Sequence, residues 1–309
     1  MPKFSIIVNC LNGEQFLERS LNSIYNQTLV DWEVIFYDNN SSDSSSDIAK
    51  SYGSKLKYFK SEETSTLGKA RDNAVRLAKG TFIAYLDVDD EWDKTKLESQ
   101  LILFDQSVDF VFTNTTITDD KKNSFELFKY SQPSKGMVLN ELLKRDFIPT
   151  SSIAIKRKSI LSMETIYDHN LTLECDRDFI LRLSEKFACN YTNECLTKRF
   201  IHAKNTIYTE NSSSFFELNH LKNKITKIHA SSDESRNIFI ANIDEKIARS
   251  YWNKGENVKA RSIFKQHKDI KRQKLFYILT FFLPRKLNML KVSAIVRKIR
   301  NLLSIQKQY

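Results

Sequence analysis

Glycine and proline are scarce in this chain of 309 residues, at six and four. That excludes collagen-like and Pro/Gly-rich disordered classes. Four cysteines, Cys10, Cys175, Cys189 and Cys195, form no C-x-x-C pair and no short framework. They read as reduced thiols in a cytosolic protein without a structural zinc site. The longest apolar stretch, Leu275 to Leu283, is about half of what a membrane-spanning helix needs. Met1-Pro2-Lys3-Phe4 leads straight into a strand pattern, so no secretory leader is expected. Acids are nearly missing from the last segment. From Lys268 to Tyr309 there are eleven Lys and Arg against one acid, Asp269, so the whole formal charge of +10 falls there. The body is close to neutral. With 41% hydrophobic and 12% aromatic residues it can bury a sizeable core. The length allows one large α/β domain with an appendage, or two domains.

The first third alternates strand and helix patterns. Phe4 to Val8, Trp32 to Tyr37, Leu56 to Phe59 and Thr81 to Leu86 are short apolar runs that read as buried strands. Between them, Phe16, Leu17, Leu21 and Ile24 are spaced for one helix. Ile48 belongs to a second, and Gly68 to Lys79 forms a third. Such alternation predicts a mostly parallel sheet covered on both faces. The strand ends at Asn9, Asp38 and Asp87 should then share one edge and one polar crevice. Further on, Phe110 to Phe112 and Ser152 to Ile155 read as strands, Asp178 to Phe187 as an amphipathic helix, and His202 to Ser214 as a polar loop. From Phe215 the pattern is helical, and residues 244–266 look like one helix-turn-helix pair.

The most informative stretch is Asp87-Val88-Asp89-Asp90-Glu91-Trp92, directly after a strand. Asp87 and Asp89, two apart on an extended chain, should point the same way. Convergent carboxylates repel unless a cation or a ligand hydroxyl lies between them. A hard ion such as Mg²⁺ or Mn²⁺, shared with phosphates, suits such a site. Asp90 reads as a ligand or as the cap of the next helix, with the cap favoured, and Trp92 as a packing residue.

Several segments together resemble the family-2 glycosyltransferases. They are the opening turn Asn9-Cys10-Leu11-Asn12, the pair Gln27-Thr28, the turn Asp38-Asn39-Asn40-Ser41-Ser42-Asp43, Gly68-Lys69-Ala70-Arg71-Asp72-Asn73, Asp87 to Trp92, and Cys175 to Arg182. The similarity spans roughly residues 3 to 215. It implies a GT-A fold, a Rossmann-like mixed α/β sheet flanked by helices, with a helical C-terminal extension. Residues 1–215 would form the glycosyltransferase domain, 1–110 the nucleotide-sugar half and 111–215 the acceptor half. Residues 216–309 would form the extension. The implied activity is inverting sugar transfer from a nucleotide sugar, UDP-linked by expectation, to a glycan or lipid-linked acceptor in surface-polysaccharide synthesis.

The resemblance also implies residue roles. Asp38 would accept the imide N–H of uracil, with Asn12 also at the donor; the plain alternative for Asp38 is an Asx-turn or cap. Asp43 reads as a cap. Arg71 would grip the diphosphate, or else form a surface ion pair. Asp89 would ligate Mg²⁺ or Mn²⁺, Asp87 would touch ribose or metal, and His202 would add a metal or diphosphate contact. Asp176 is the candidate general base; its plain alternative, shared with Asp178, is to complement a helix dipole. Arg182 should pair with Asp178 at i,i+4. Residues 203–214 could close over the donor.

The basic tail combines apolar and cationic signals. Met289, Val292, Ile295, Val296, Ile299, Leu302 and Leu303 fall on one arc, opposite Lys286, Arg297 and Arg300. That predicts an interfacial helix on an anionic membrane, at the inner face of the cytoplasmic membrane. The rival is a helix that packs on the fold or in an oligomer. No nucleic-acid motif is present. A sugar-nucleotidyltransferase is the enzymatic alternative, but the Gly-rich basic signature after the first strand is missing. A silent membrane-associated scaffold is the non-enzymatic one; intact Asp87, Asp89 and Asp176 argue against it.

Overall fold

The computed structural model describes residues 1–202, 212–228 and 230–282. In chain order its elements are β1 (Phe4–Cys10), α1 (Glu14–Tyr25), β2 (Trp32–Asp38), α2 (Ser45–Lys50), β3 (Leu56–Lys60), α3 (Leu67–Leu77), β4 (Phe82–Tyr85), β5 (Glu91–Trp92) and α4 (Lys96–Ile102). There follow β6 (Phe110–Asp119), β7 (Ser124–Glu126), α5 (Leu139–Lys144), a 3₁₀ turn (Thr150–Ser152), β8 (Ile153–Lys156), α6 (Arg157–Leu161), α7 (Cys175–Lys186) and β9 (Cys189–Ile201). Four helices complete the described chain: α8 (Ser212–Ile225), α9 (Asp233–Asn253), α10 (Asn257–Gln266) and α11 (Lys271–Phe282).

The strands form one mixed sheet in the order β3-β2-β1-β4-β8-β6-β9-β5, with β7 paired to β6. β1 to β4 run parallel to one another. β8 is antiparallel to both β4 and β6. β1 and β4 are buried on both faces, which accounts for their largely apolar sequences; the buried polar exception inside β1, Ser5, is bonded to Glu33. α1 adds Leu17, Leu21 and Ile24 to the core beneath them. Because β1, β2 and β4 are parallel and in register, their carboxyl ends share one edge, as the sequence predicts.

β4 and β5 are nearly consecutive in sequence yet lie four places apart in the sheet. Four strand spacings are about 19 Å. The six steps from Tyr85 to Glu91 span at most about 20 Å when fully extended, and part of that link is a turn. The sheet must therefore curl so that β9 brings β5 back toward β4. The curl wraps the far end of the sheet around the acidic segment.

Two compact units are distinguished, Met1–Arg236 and the part from Asn237 onward. In the second, Ala248, Trp252, Ala260, Phe264 and Phe276 form a small core of their own. α9 and α10 make the helix-turn-helix pair seen in the sequence, with Gly255 at φ +80° in the turn. No described helix is long and apolar enough to cross a membrane. The amphipathic arc from Met289 to Leu303 and the loop at 203–211 lie outside the described residues.

Candidate active site

The opening turns lock each other. Asn12 and Asn40 both adopt positive φ, at 55° and 69°, which asparagine tolerates better than other side-chain-bearing residues. Asn12 Oδ1 accepts from Ser42 N at 2.9 Å, and Asn12 N donates to Ser41 Oγ at 3.0 Å. Asp43 accepts from Glu14 N and Ser45 N, each at 3.0 Å, so it serves both helix starts. Asp38 has no exposed surface. Its Oδ1 accepts from Ser41 N at 2.7 Å and its Oδ2 from the Tyr58 hydroxyl at 2.6 Å. Burial and this bond push the Tyr58 phenol up to about 12. Both oxygens of Asp38 are thus engaged within the fold, as the Asx-turn alternative expects. The Asn12 side chain, on an exposed residue, likewise bonds Ser42.

The acidic segment is a turn, not the extended Asp-x-Asp anticipated. Asp90 N donates to Asp87 O at 3.0 Å and folds the chain back. Convergence comes from this turn, which also brings in Asp90. Carboxylate oxygens of Asp87, Asp89 and Asp90 all lie within 4.8 Å of one another. Asp90 is 3% exposed and caps nothing; Asp93 instead accepts from Thr95 N at 3.0 Å, ahead of α4. Burial pushes the Asp90 carboxyl well above its ordinary range, and the charges of Asp87 and Asp89 add to this. Burial and Asp87 raise Asp89 in the same way. α1 steadies the turn from below, where Arg19 donates to Asp89 O at 2.6 Å. His202, at the end of β9, sets Nε2 3.1 Å from Asp89 Oδ2 and stacks on Phe16.

Arg71 joins this cluster to α7. Its guanidinium lies 2.7 Å from Asp87 Oδ1, 2.8 Å from Asp176 Oδ1 and 3.0 Å from Asp176 Oδ2. At 2% exposure it is enclosed between the two carboxylates and stands away from solvent. α3 reaches this position because Gly68 lacks a side chain: a Cβ there would lie 2.2 Å from Asp168 O. Burial raises the Asp176 carboxyl, while Arg71 pulls it back toward the charged form. Asp178 behaves differently. It is buried and paired with Arg182 at 2.6 Å, as its i,i+4 spacing predicts, and Lys224 also contacts it.

Sequence reasoning missed α8 altogether as part of this region. α7 has no side-chain cap of its own. Glu217, 3% exposed, supplies one from α8: it accepts from Leu173 N at 2.7 Å and Glu174 N at 2.9 Å. His220 and Lys224 bind Asp168 at 2.8 and 3.0 Å. No local pattern signals contacts across more than forty residues.

Chemically, the site offers hard oxygen donors crowded in a half-buried turn. Their mutual repulsion and raised carboxyls fit a divalent ion of the Mg²⁺ or Mn²⁺ type. A separate carboxylate, Asp176, sits beyond Arg71 with one side open.

Comparison with known proteins identifies the family and the fold. TuaG of Bacillus subtilis is 28% identical over 202 residues, 64% of this chain and 78% of its own. WfgD of Escherichia coli, a UDP-Glc:alpha-D-GlcNAc-diphosphoundecaprenol beta-1,3-glucosyltransferase, is 31% identical over 155 residues. That match covers 50% of this chain and 60% of WfgD, so WfgD extends well beyond it. The structure of S. aureus TarS 1–349 in complex with UDP-GlcNAc superposes with a TM-score of 0.65 at 18% identity, covering 85% of this chain and 79% of that one. Such a likeness supports the GT-A fold. Residues 5–162, about half of the sequence, match glycosyl transferase family 2, and the chain belongs to that family.

Proposed function

We propose that the chain is a metal-dependent inverting glycosyltransferase. It moves a hexosyl or N-acetylhexosaminyl group from a UDP-linked donor to a hydroxyl of a glycan or lipid-linked acceptor, in surface-polysaccharide synthesis. The observation that carries the reading is Arg71, buried between Asp87 and Asp176. One guanidinium holds a carboxylate of the acidic turn and the candidate base in fixed relation. The UDP donor and lipid-linked acceptor are supported by the name of WfgD and by the UDP-GlcNAc complex of TarS.

Asp89 is the principal metal ligand, with Asp87 and Asp90 beside it and His202 against its outer oxygen. A divalent cation held there would neutralise charge on the departing diphosphate. Asp176 takes the proton from the acceptor hydroxyl. The acceptor oxygen bonds to the anomeric carbon on the face opposite the leaving group, and the bond from that carbon to the diphosphate oxygen breaks. Arg71 keeps Asp176 ionised despite burial. Asp38 and Asn12 shape the nucleotide edge by fixing its turns. The basic tail is read as a contact with an anionic membrane, which places the enzyme at the cytoplasmic face.

A screen of UDP-, GDP- and CDP-sugars for donor turnover, with Mn²⁺ and with EDTA, tests the reading. UDP-sugar turnover that EDTA abolishes supports it. Turnover unaffected by EDTA removes the metal, and GDP-sugar preference removes the donor class. An α-linked product from an α-linked donor rejects inversion. Co-sedimentation with anionic vesicles at low salt tests the tail.

A further inference from the structure

Ser151 lies in the 3₁₀ turn ahead of β8, more than sixty residues from the acidic segment, and has no exposed surface. Its hydroxyl touches both ends of the Asp-Val-Asp-Asp turn. It donates to Asp90 Oδ2 at 2.6 Å and accepts from Asp87 N at 3.1 Å. A hydroxyl has one proton and two lone pairs, so both bonds form together.

The Ser151 backbone is itself held. Its carbonyl accepts from the Trp92 indole at 2.7 Å. The next carbonyl, of Ser152, accepts from Gln100 Nε2 at 2.9 Å, and Gln100 Oε1 accepts from Lys96 Nζ at 2.7 Å. Lys96 Nζ sits 4.0 Å from the centroid of the Trp92 ring. The 3₁₀ turn is therefore pinned by β5 and α4, the two elements that directly follow the acidic turn. Trp92, read from the sequence as packing, supplies one of these pins.

We propose that Ser151 is a positioning residue for the transfer reaction. Its hydroxyl clamps the acidic turn across the sheet and holds Asp87 and Asp90 at the spacing a divalent cation requires. Three carboxylates within 4.8 Å repel one another when no cation is bound. Arg19 holds the Asp89 carbonyl and Arg71 the Asp87 carboxylate, but neither ties Asp87 to Asp90; the Ser151 bridge does, and it keeps those two ligands preorganised. The inference rests on the metal reading above, and it adds a residue that touches neither metal nor substrate.

The test is Mn²⁺ affinity without any sugar donor, read from the EPR signal of free Mn²⁺, beside thermal unfolding of the same samples. Ser151→Ala should bind Mn²⁺ about tenfold or more weakly while its unfolding midpoint falls by only a few degrees. Ser151→Cys, close in size but a weak donor, should lie between. Trp92→Phe keeps the aromatic packing and removes the indole N–H; it should weaken Mn²⁺ in the same direction by a smaller factor. It carries the test if Ser151→Ala does not fold. Wild-type affinity in folded Ser151→Ala overturns the clamp and leaves the metal site standing. Wild-type affinity in Trp92→Phe, should Ser151→Ala fail to fold, overturns it equally. A wild-type protein that binds no Mn²⁺ overturns the metal reading itself.

Discussion

The two edges of the crevice use the same residue type in opposite ways. At the opening turns, Asp38 and Asp43 spend their oxygens on backbone amides of the turns and helix starts and on the Tyr58 hydroxyl of β3. At the acidic turn, Asp87, Asp89 and Asp90 crowd one another, and burial pushes Asp89 and Asp90 upward. The first arrangement is complete without a ligand. The second stores electrostatic repulsion that a cation would relieve. A carboxylate's partners therefore separate scaffold from chemistry here, where its presence in a motif does not.

The largest expected effect sharpens the acidic side. Asp89→Ala, or chelation of the metal, should cost several kcal/mol of transition-state stabilisation, a fall of about 10³-fold in donor turnover. Circular dichroism should be unchanged, since Asp89 lies in a half-buried turn outside the apolar core. Full turnover by Asp89→Ala would dissolve the contrast between the two edges.

Asp176→Asn comes next. It preserves size and much of the hydrogen bonding but removes the proton acceptor, so kcat should fall about 10²–10⁴-fold with nucleotide affinity nearly unchanged. Because burial raises this carboxyl, and the reaction needs the charged form, wild-type activity should fall with decreasing pH above the ordinary carboxylate range. Asp178→Asn should instead lower stability, because it breaks the pairs with Arg182 and Lys224. A catalytic loss confined to Asp178→Asn would move the base by two residues.

A smaller effect concerns α8. Glu217→Ala removes the cap from Leu173 N and Glu174 N. Loss of a cap costs about 1–2 kcal/mol, and a shift of Asp176 should lower kcat about tenfold at unchanged donor KM. Unchanged kcat in a folded Glu217→Ala would limit α8 to structure.

How far the sequence reaches follows the same division. The parallel strands are legible because burial on both faces leaves short, largely apolar runs, as in Ile6-Ile7-Val8 of β1. β9 was missed because its residues are mostly half-exposed and carry no such run. β6 runs on past Phe112 through Thr113-Asn114-Thr115-Thr116, where polar β-branched residues satisfy the ladder without looking apolar. In the site, the acidic cluster and Asp176 could be named from local motifs. Their link through Arg71, the clamp from Ser151 and the cap from Glu217 could not, since each is a contact between distant segments. Nor could the bonds of Asp38 to Ser41 N and Tyr58, since motif similarity reports position but not which way an oxygen faces.

Asp38→Asn tests that last point, with the smallest expected effect on binding. The amide oxygen can still accept from Ser41 N, and the amide nitrogen can donate to the Tyr58 oxygen, so the turn keeps both contacts in weaker form. Exchanging charged for neutral hydrogen bonds at a buried site should cost about 1–2 kcal/mol of stability, read as a lower urea midpoint at unchanged m-value. UDP affinity, measured by calorimetry with Mn²⁺ present, should stay within about threefold of wild type, because Asp38 has no exposed surface through which a base could reach it. Uracil would behave otherwise: a direct acceptor for its imide N–H would be lost, at about 1–3 kcal/mol, or roughly tenfold and more in affinity. A tenfold loss of UDP binding with unchanged stability would return Asp38 to the donor site and erase the distinction between the two edges.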